Sequence, residues 1–182
     1  GNILTDNIKM IEDYPKKGML VTITNQSLAI GGCVPNTGID LKKLDKDLVV
    51  KAYGKVGYDE NGKFVLDKMS SIGIDVSNVK MTDQMPTSYS DVMTVNCTGE
   101  RTFFHHRGAN KVFSMQDIDV DSIDCKIFHI GYLMLLDQFD KIDQDGRTPM
   151  SKLLEKIREN NANASSQKQQ MDVLSQGAQI IQ

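Results

Sequence analysis

A chain of 182 residues with 40% apolar residues, six Phe, five Tyr and no Trp suits one globular domain with a core of ordinary size. The formal net charge of −3 comes from interspersed acidic and basic residues, so there is no basic face for nucleic acid or a membrane surface, and neither partner is expected. Three Cys at wide, irregular spacing fit neither a disulfide framework nor a zinc motif and read as the reduced thiols of a cytoplasmic protein.

The chain begins at Gly1 without Met and without a signal-like apolar run. A complete strand normally precedes such a glycine in an α/β sheet, so a piece clipped at its front is expected. Residues 3–12 are too short to classify alone. Met19 to Thr24 and Ser27 to Ile30 favour β structure on either side of Asn25-Gln26, and Pro15 and Gly18 stand before them, which predicts a small twisted β layer between residues 10 and 30. From Asn36 to Leu44 the pattern is helical, with Pro35 at its entrance. Leu48 to Tyr53 reads as a strand running into glycine. Phe64, Val65, Met69 and Ile72 recur at helical spacing, and Gly73 is placed to end that helix. Residues 87–95 and 101–106 read as a hairpin with Gly99 in its loop. Lys126 to Ile130 reads as a buried-type strand, and Met150, Leu153, Leu154 and Ile157 mark an amphipathic helix ending near Asn160. Beyond it the sequence turns to Asn, Ser and Gln and is too poor in apolar residues for a core, so 161–182 is expected to be a polar tail, disordered or with a strand remnant at Asp172 to Ser175. Strands alternating with helices argue for an α/β sandwich around a mostly parallel sheet, and the β patches at 16–30 and 87–106 look like an inserted sheet.

Few residues carry chemistry by themselves. Gly31 and Gly32 ahead of Asn36 allow close backbone approach at a helix entrance, with an amide that donates and accepts, and the same residues also make an ordinary turn. Asp6 can accept hydrogen bonds from two hydroxyls, and equally can serve as a loop or cap residue. The cluster Gly54, Gly57, Asp59 and Gly62 is neither a Walker A nor a dinucleotide fingerprint, and reads as a tight strand-to-helix turn with Asp59 near the helix start. Arg101 and Arg107 can meet a phosphate or carboxylate, or lie on a solvated strand edge. His105 and His106 have no nameable partner for a role as general base. His105, His106 and His129 show no metal-ligand spacing, so no metal site is expected.

Taken in order, these stretches resemble the ribokinase-like (PfkB) carbohydrate kinase family, in its N-terminal portion. Gly1 to Asp6 is similar to the family's G-x-x-x-x-D opening, and Gly31, Gly32 and Asn36 to its GG-x3-N sugar motif. Residues 54–62 resemble the G-x-V-G-x-D-x-x-G turn. Ile72-Gly73-Ile74-Asp75, Pro86-Thr87-Ser88, Gly99 to Phe103 and Gly108-Ala109-Asn110 follow in the family's order. The resemblance runs over residues 1–160 and implies a partial ribokinase-like, Rossmann-type α/β sandwich with a small inserted β-sheet lid, its strands at about 16–30 and 87–106.

By that resemblance the complete enzyme would use ATP and Mg²⁺ to phosphorylate a hydroxyl of a sugar or related polyol. Asp6, Gly31, Gly32 and Asn36 would bind the substrate's hydroxyls, with Arg107 and Asn110 as further substrate-binding candidates. The β-lid would close over the sugar, excluding water, and could pair two subunits. Val34 and Gly38 depart from the sugar-kinase pattern, which leaves a nucleoside kinase as an alternative. The family's later N-x-x-E and G-A-G-D segments have no counterpart after residue 160, so no catalytic residue is assigned. A non-catalytic dimerising module derived from the kinase fold is the competing reading from another class.

Overall fold

The computed structural model of the chain describes residues 1–132 and 134–161. Leu4–Ile11 (β1) and Ile23–Gly31 (β2) form an antiparallel hairpin in which Leu4 faces Gly31 and Asp6 faces Ala29. The loop between them contains Pro15 and Gly18, the latter at φ +84°, a conformation suited to glycine. Residues 3–12 are therefore largely a strand, and β2 runs through Asn25 and Gln26 instead of breaking there. The reason is position: β2 is an edge strand exposed over most of its length, so polar residues cost little and the usual alternation is missing. Met19 and Leu20, expected in a strand, lie in the loop and are 70% and 87% exposed.

Gly32 caps the helix Cys33–Leu44 (α1) at φ +95°, where a Cβ would lie 2.5 Å from the Asn2 carbonyl oxygen. The helix starts ahead of the expected Asn36 because Pro35 falls in its first turn, where a missing N–H breaks no intrahelical bond. Val50–Gly57 (β3), Glu60–Ser71 (α2) and Ile74–Thr82 (β4) then make a βαβ unit whose strands pair in parallel as a separate two-stranded sheet. α2 begins where Asp59 accepts the Gly62 amide at 2.8 Å and ends at Gly73, φ +86°. Val65 and Met69 on its inner side are fully buried and pack with Ile3, Ala52, Val56, Ile74 and Val79.

Tyr89–Val95 (β5) and Arg101–His106 (β6) form the expected hairpin, with Gly99 at φ +70° in its loop. β5 also runs parallel to β1, which completes a mixed four-stranded sheet in the order β2-β1-β5-β6. The architecture is α/β, as the sequence pattern implies, with one parallel and one mixed sheet. Short 3-10 turns follow, then the single turn Asp137–Asp140 (α3) and a helix over 149–161 (α4). Met150, Leu153 and Ile157 of α4 pack with Phe113, Ile118, Val120, Ile123, Leu136 and Phe139 in a second core, while Leu154 stays at its margin, 39% exposed.

Lys126 to Ile130, expected as a strand, is not one. Phe128 and Ile130 touch the second core while Ile127 is 84% exposed, which is the alternation of extended chain. Among the described residues no neighbouring strand supplies it with a ladder, and without one a strand does not form. The polar tail after residue 161 and the strand remnant at 172–175 lie outside the described residues. No helix among the described residues is long and apolar enough to cross a membrane.

Candidate functional site

The glycine-rich turn after β3 is knotted to Pro86-Thr87-Ser88, just ahead of β5. Thr87 is fully buried; its hydroxyl donates to Asp59 Oδ1 at 2.6 Å, its amide to Asp59 Oδ2 at 2.7 Å, and its Oγ1 accepts the Gly57 amide at 2.9 Å. A Cβ on Gly57 would lie 2.6 Å from the Thr87 nitrogen, and one on Gly62 would collide with the Gly57 carbonyl oxygen. Burial pushes Asp59 upward, but the hydrogen bonds from Thr87 and Gly62 outweigh it and hold the carboxyl below its ordinary value. The cluster is thus the tight strand-to-helix turn indicated by its sequence, with Asp59 as the helix cap.

The same segment holds Gly108-Ala109-Asn110. The Ala109 amide donates to the Pro86 carbonyl at 2.8 Å, the Asn110 amide to Ser88 Oγ at 3.1 Å, and a Cβ on Gly108 would lie 2.5 Å from the Pro86 carbonyl oxygen. Asn110 is fully buried, donating from Nδ2 to the Ile3 carbonyl at 2.9 Å and accepting the Ile3 amide on Oδ1 at 3.2 Å. Its side chain therefore holds the backbone leading into β1. Arg107 is partly exposed, ion-paired to Asp137 and within 3.4 Å of the Met134 carbonyl.

β1, anchored in this way, carries Asp6. Its carboxylate leans over Gly31, where a Cβ would collide with Oδ2. Burial raises the Asp6 carboxyl above its ordinary value, opposed by the Ser90 hydroxyl and by the charges of His105 and Arg101. Asn2 is fully buried with neither Oδ1 nor Nδ2 partnered, and Oδ1 lies 2.6 Å from the place a Gly32 Cβ would take. Asn36 is exposed in the first turn of α1, its amide donating to the Gly32 carbonyl at 3.2 Å.

Of the residues singled out from sequence, the fold brings Asp6, Gly31 and Gly32 to one corner where β1, β2 and α1 meet. Asn36 stands at the outer side of the same helix entrance, Asn110 supports the corner from behind, and Arg107 is engaged by Asp137. Asn2 was not among them; the only signal for it is its place between Gly1 and Asp6 in the opening motif. The corner combines a carboxylate, an unpartnered amide and a backbone stripped of Cβ atoms. Such a set can accept from two neighbouring hydroxyls and both donate to and accept from a third.

Residues 3–181 match the family model described as pfkB family carbohydrate kinase. No curated protein matches the chain. Among solved structures, a ribokinase from Thermotoga maritima superposes with a TM-score of 0.60 at 17% identity, over 67% of this chain and 39% of that one. An Arabidopsis thaliana ribokinase complexed with ribose and ATP gives 0.52 at 21%, over 64% and 36%. A Methanocaldococcus jannaschii nucleoside kinase of the ribokinase family gives 0.53 at 22%, over 63% and 38%. The chain spans well under half the length of the solved structures it matches, and at these identities the likeness is one of fold.

Proposed function

Because the chain belongs to the pfkB family of carbohydrate kinases, we propose that it is the substrate-binding and lid portion of such an enzyme, whose complete form transfers the ATP γ-phosphate to a sugar hydroxyl. The observation that carries the sugar-facing reading is the Asp6 carboxylate over Gly31, beside the buried and unpartnered Asn2. An ionised carboxylate has acceptor capacity only, and vicinal hydroxyls of a polyol are matching donors. The four-stranded sheet is the lid of this reading. Its outer strands expose Leu28, Phe103 and Phe104, which supports pairing with a second copy. A cytoplasmic setting fits the three free cysteines.

The glycine turn after β3 does not fit the phosphates of ATP. Gly57 and Gly62 face Asp59 and Thr87 at packing distance, which leaves no cradle for phosphates. The described residues hold no group of three or more His, Cys, Asp and Glu side chains that could bind a metal ion. Calorimetric titration with D-ribose, D-fructose and adenosine tests the reading, since ribokinases and a nucleoside kinase share the fold. One of them should bind weakly, and Asp6→Asn should abolish that binding while leaving the melting temperature within a few degrees. Equal binding by Asp6→Asn, or sugar-dependent ADP formation by this chain alone, would overturn it.

A further inference from the structure

β1, β5 and β6 set three polar side chains in one cross-strand row: Asp6 faces Ser90, and Ser90 faces His105. Ser90 is buried, and its Oγ lies 3.1 Å from His105 Nδ1. A serine has one hydroxyl proton and two lone pairs. Ser90 is the register partner of Asp6 and its hydroxyl is among the groups that hold the Asp6 carboxyl down, so that proton is given to Asp6, which leaves Oγ to accept from the ring. The row therefore runs from a His105 N–H to Ser90, and from the Ser90 O–H to Asp6.

We propose that His105 is a positioning residue for the hydroxyl-binding corner, acting through Ser90 to keep Asp6 an ionised acceptor aimed over Gly31. The proposal rests on the sugar-facing reading of Asp6. Around the ring stand Asp6 on β1, Tyr89 on β5, and His106 and Arg107 at the end of β6, with Arg101 at its start facing Asp6. Burial and Arg107 push the imidazole down, Asp6 pulls it up, His106 opposes and the Tyr89 backbone supports it, with a net fall that leaves the ring neutral at pH 7. On this proposal the single proton of the neutral ring sits on Nδ1. Removing this donor chain raises the Asp6 pKa, so the ionised fraction of Asp6, and with it hydroxyl binding, drops increasingly toward acid pH.

The test needs no ligand in its first arm. In the full chain, ¹⁵N spectra of the His105 ring should show a protonated Nδ1, and the Asp6 side-chain ¹³C signal should titrate higher by about half a unit or more in both H105F and S90A. H105N, which offers an amide N–H where Nδ1 sits, should restore the original titration. A proton on Nε2 with a bare Nδ1, or an Asp6 titration indifferent to H105F and S90A, overturns the proposal. In the second arm, D-ribose binding by H105F should fall several-fold at pH 7.5 and further at pH 5.5, with H105N recovering it; a loss independent of pH also overturns it. Absence of ribose binding by the unaltered chain would count against the sugar-facing reading, and the two NMR readouts would still decide the coupling.

Discussion

Replacing Asp59 by Ala removes the cap of α2 and the acceptors of both the Thr87 amide and the Thr87 hydroxyl in one step. A lost carboxylate cap costs about 1 kcal/mol. The Thr87 amide and hydroxyl, on a fully buried residue, lose their acceptor at about 1–3 kcal/mol each. Asp59 itself is partly exposed, so water reaches some of the vacated space and the low end applies, which places the total at about 3 kcal/mol. Urea unfolding should show the midpoint falling with an unchanged slope. Asp59→Asn keeps one oxygen for Gly62 and the hydroxyl but turns an NH₂ toward the Thr87 amide, for an expected loss of about 1–2 kcal/mol. The folded pKa of Asp59 is depressed, so its stabilisation is full above the ordinary carboxylate range and is lost as pH falls through the folded value. Asp59→Ala should therefore also flatten the acid limb of the stability profile. A loss below about 1 kcal/mol at neutral pH would refute the knot as a structural tie.

Two further outcomes rest on the same kind of contact. Gly32→Ala sets a Cβ 2.5 Å from a backbone oxygen at φ +95°, and thermal unfolding should show a loss of about 2 kcal/mol or more. Asn110→Ala strips both partners from the buried Ile3 amide and carbonyl, with an expected cost of about 2–4 kcal/mol in urea and faster amide exchange at Ile3.

Much of the fold could be read from local signals. α2 was legible because Asp59 and Gly73 bracket it, and the β5–β6 hairpin because Gly99 marks its turn. β1 was not, and β2 was read only in part, at Ile23, Thr24 and Ser27 to Ile30, since an edge strand rich in polar residues and its neighbour show no alternation to read. Lys126 to Ile130 erred the other way: β-favouring residues do not make a strand where no ladder is offered. Asp6, Gly31 and Gly32 could be picked out as a chemically apt set, but the role of Asn110 as a tie and the partnership of Ser90 with His105 could not. The partnership depends on the register of β6 against β5, where one residue of slip would turn His105 to the other side, and the tie on the register of β1 against β5, strands far apart in sequence.

That register also sets the order in which the corner can come into being. The βαβ unit closes over neighbouring residues, whereas the Asn110 clasp on Ile3 joins positions 107 residues apart. Contacts of such span wait on the loop between them, because its closure entropy must be met before any of them forms. The backing of β1 by Asn110 is therefore a late product of folding, and a chain interrupted on the ribosome before Asn110 would have α1, α2 and the β1–β2 hairpin that sets Asp6 over Gly31, with the entry to β1 not yet clasped.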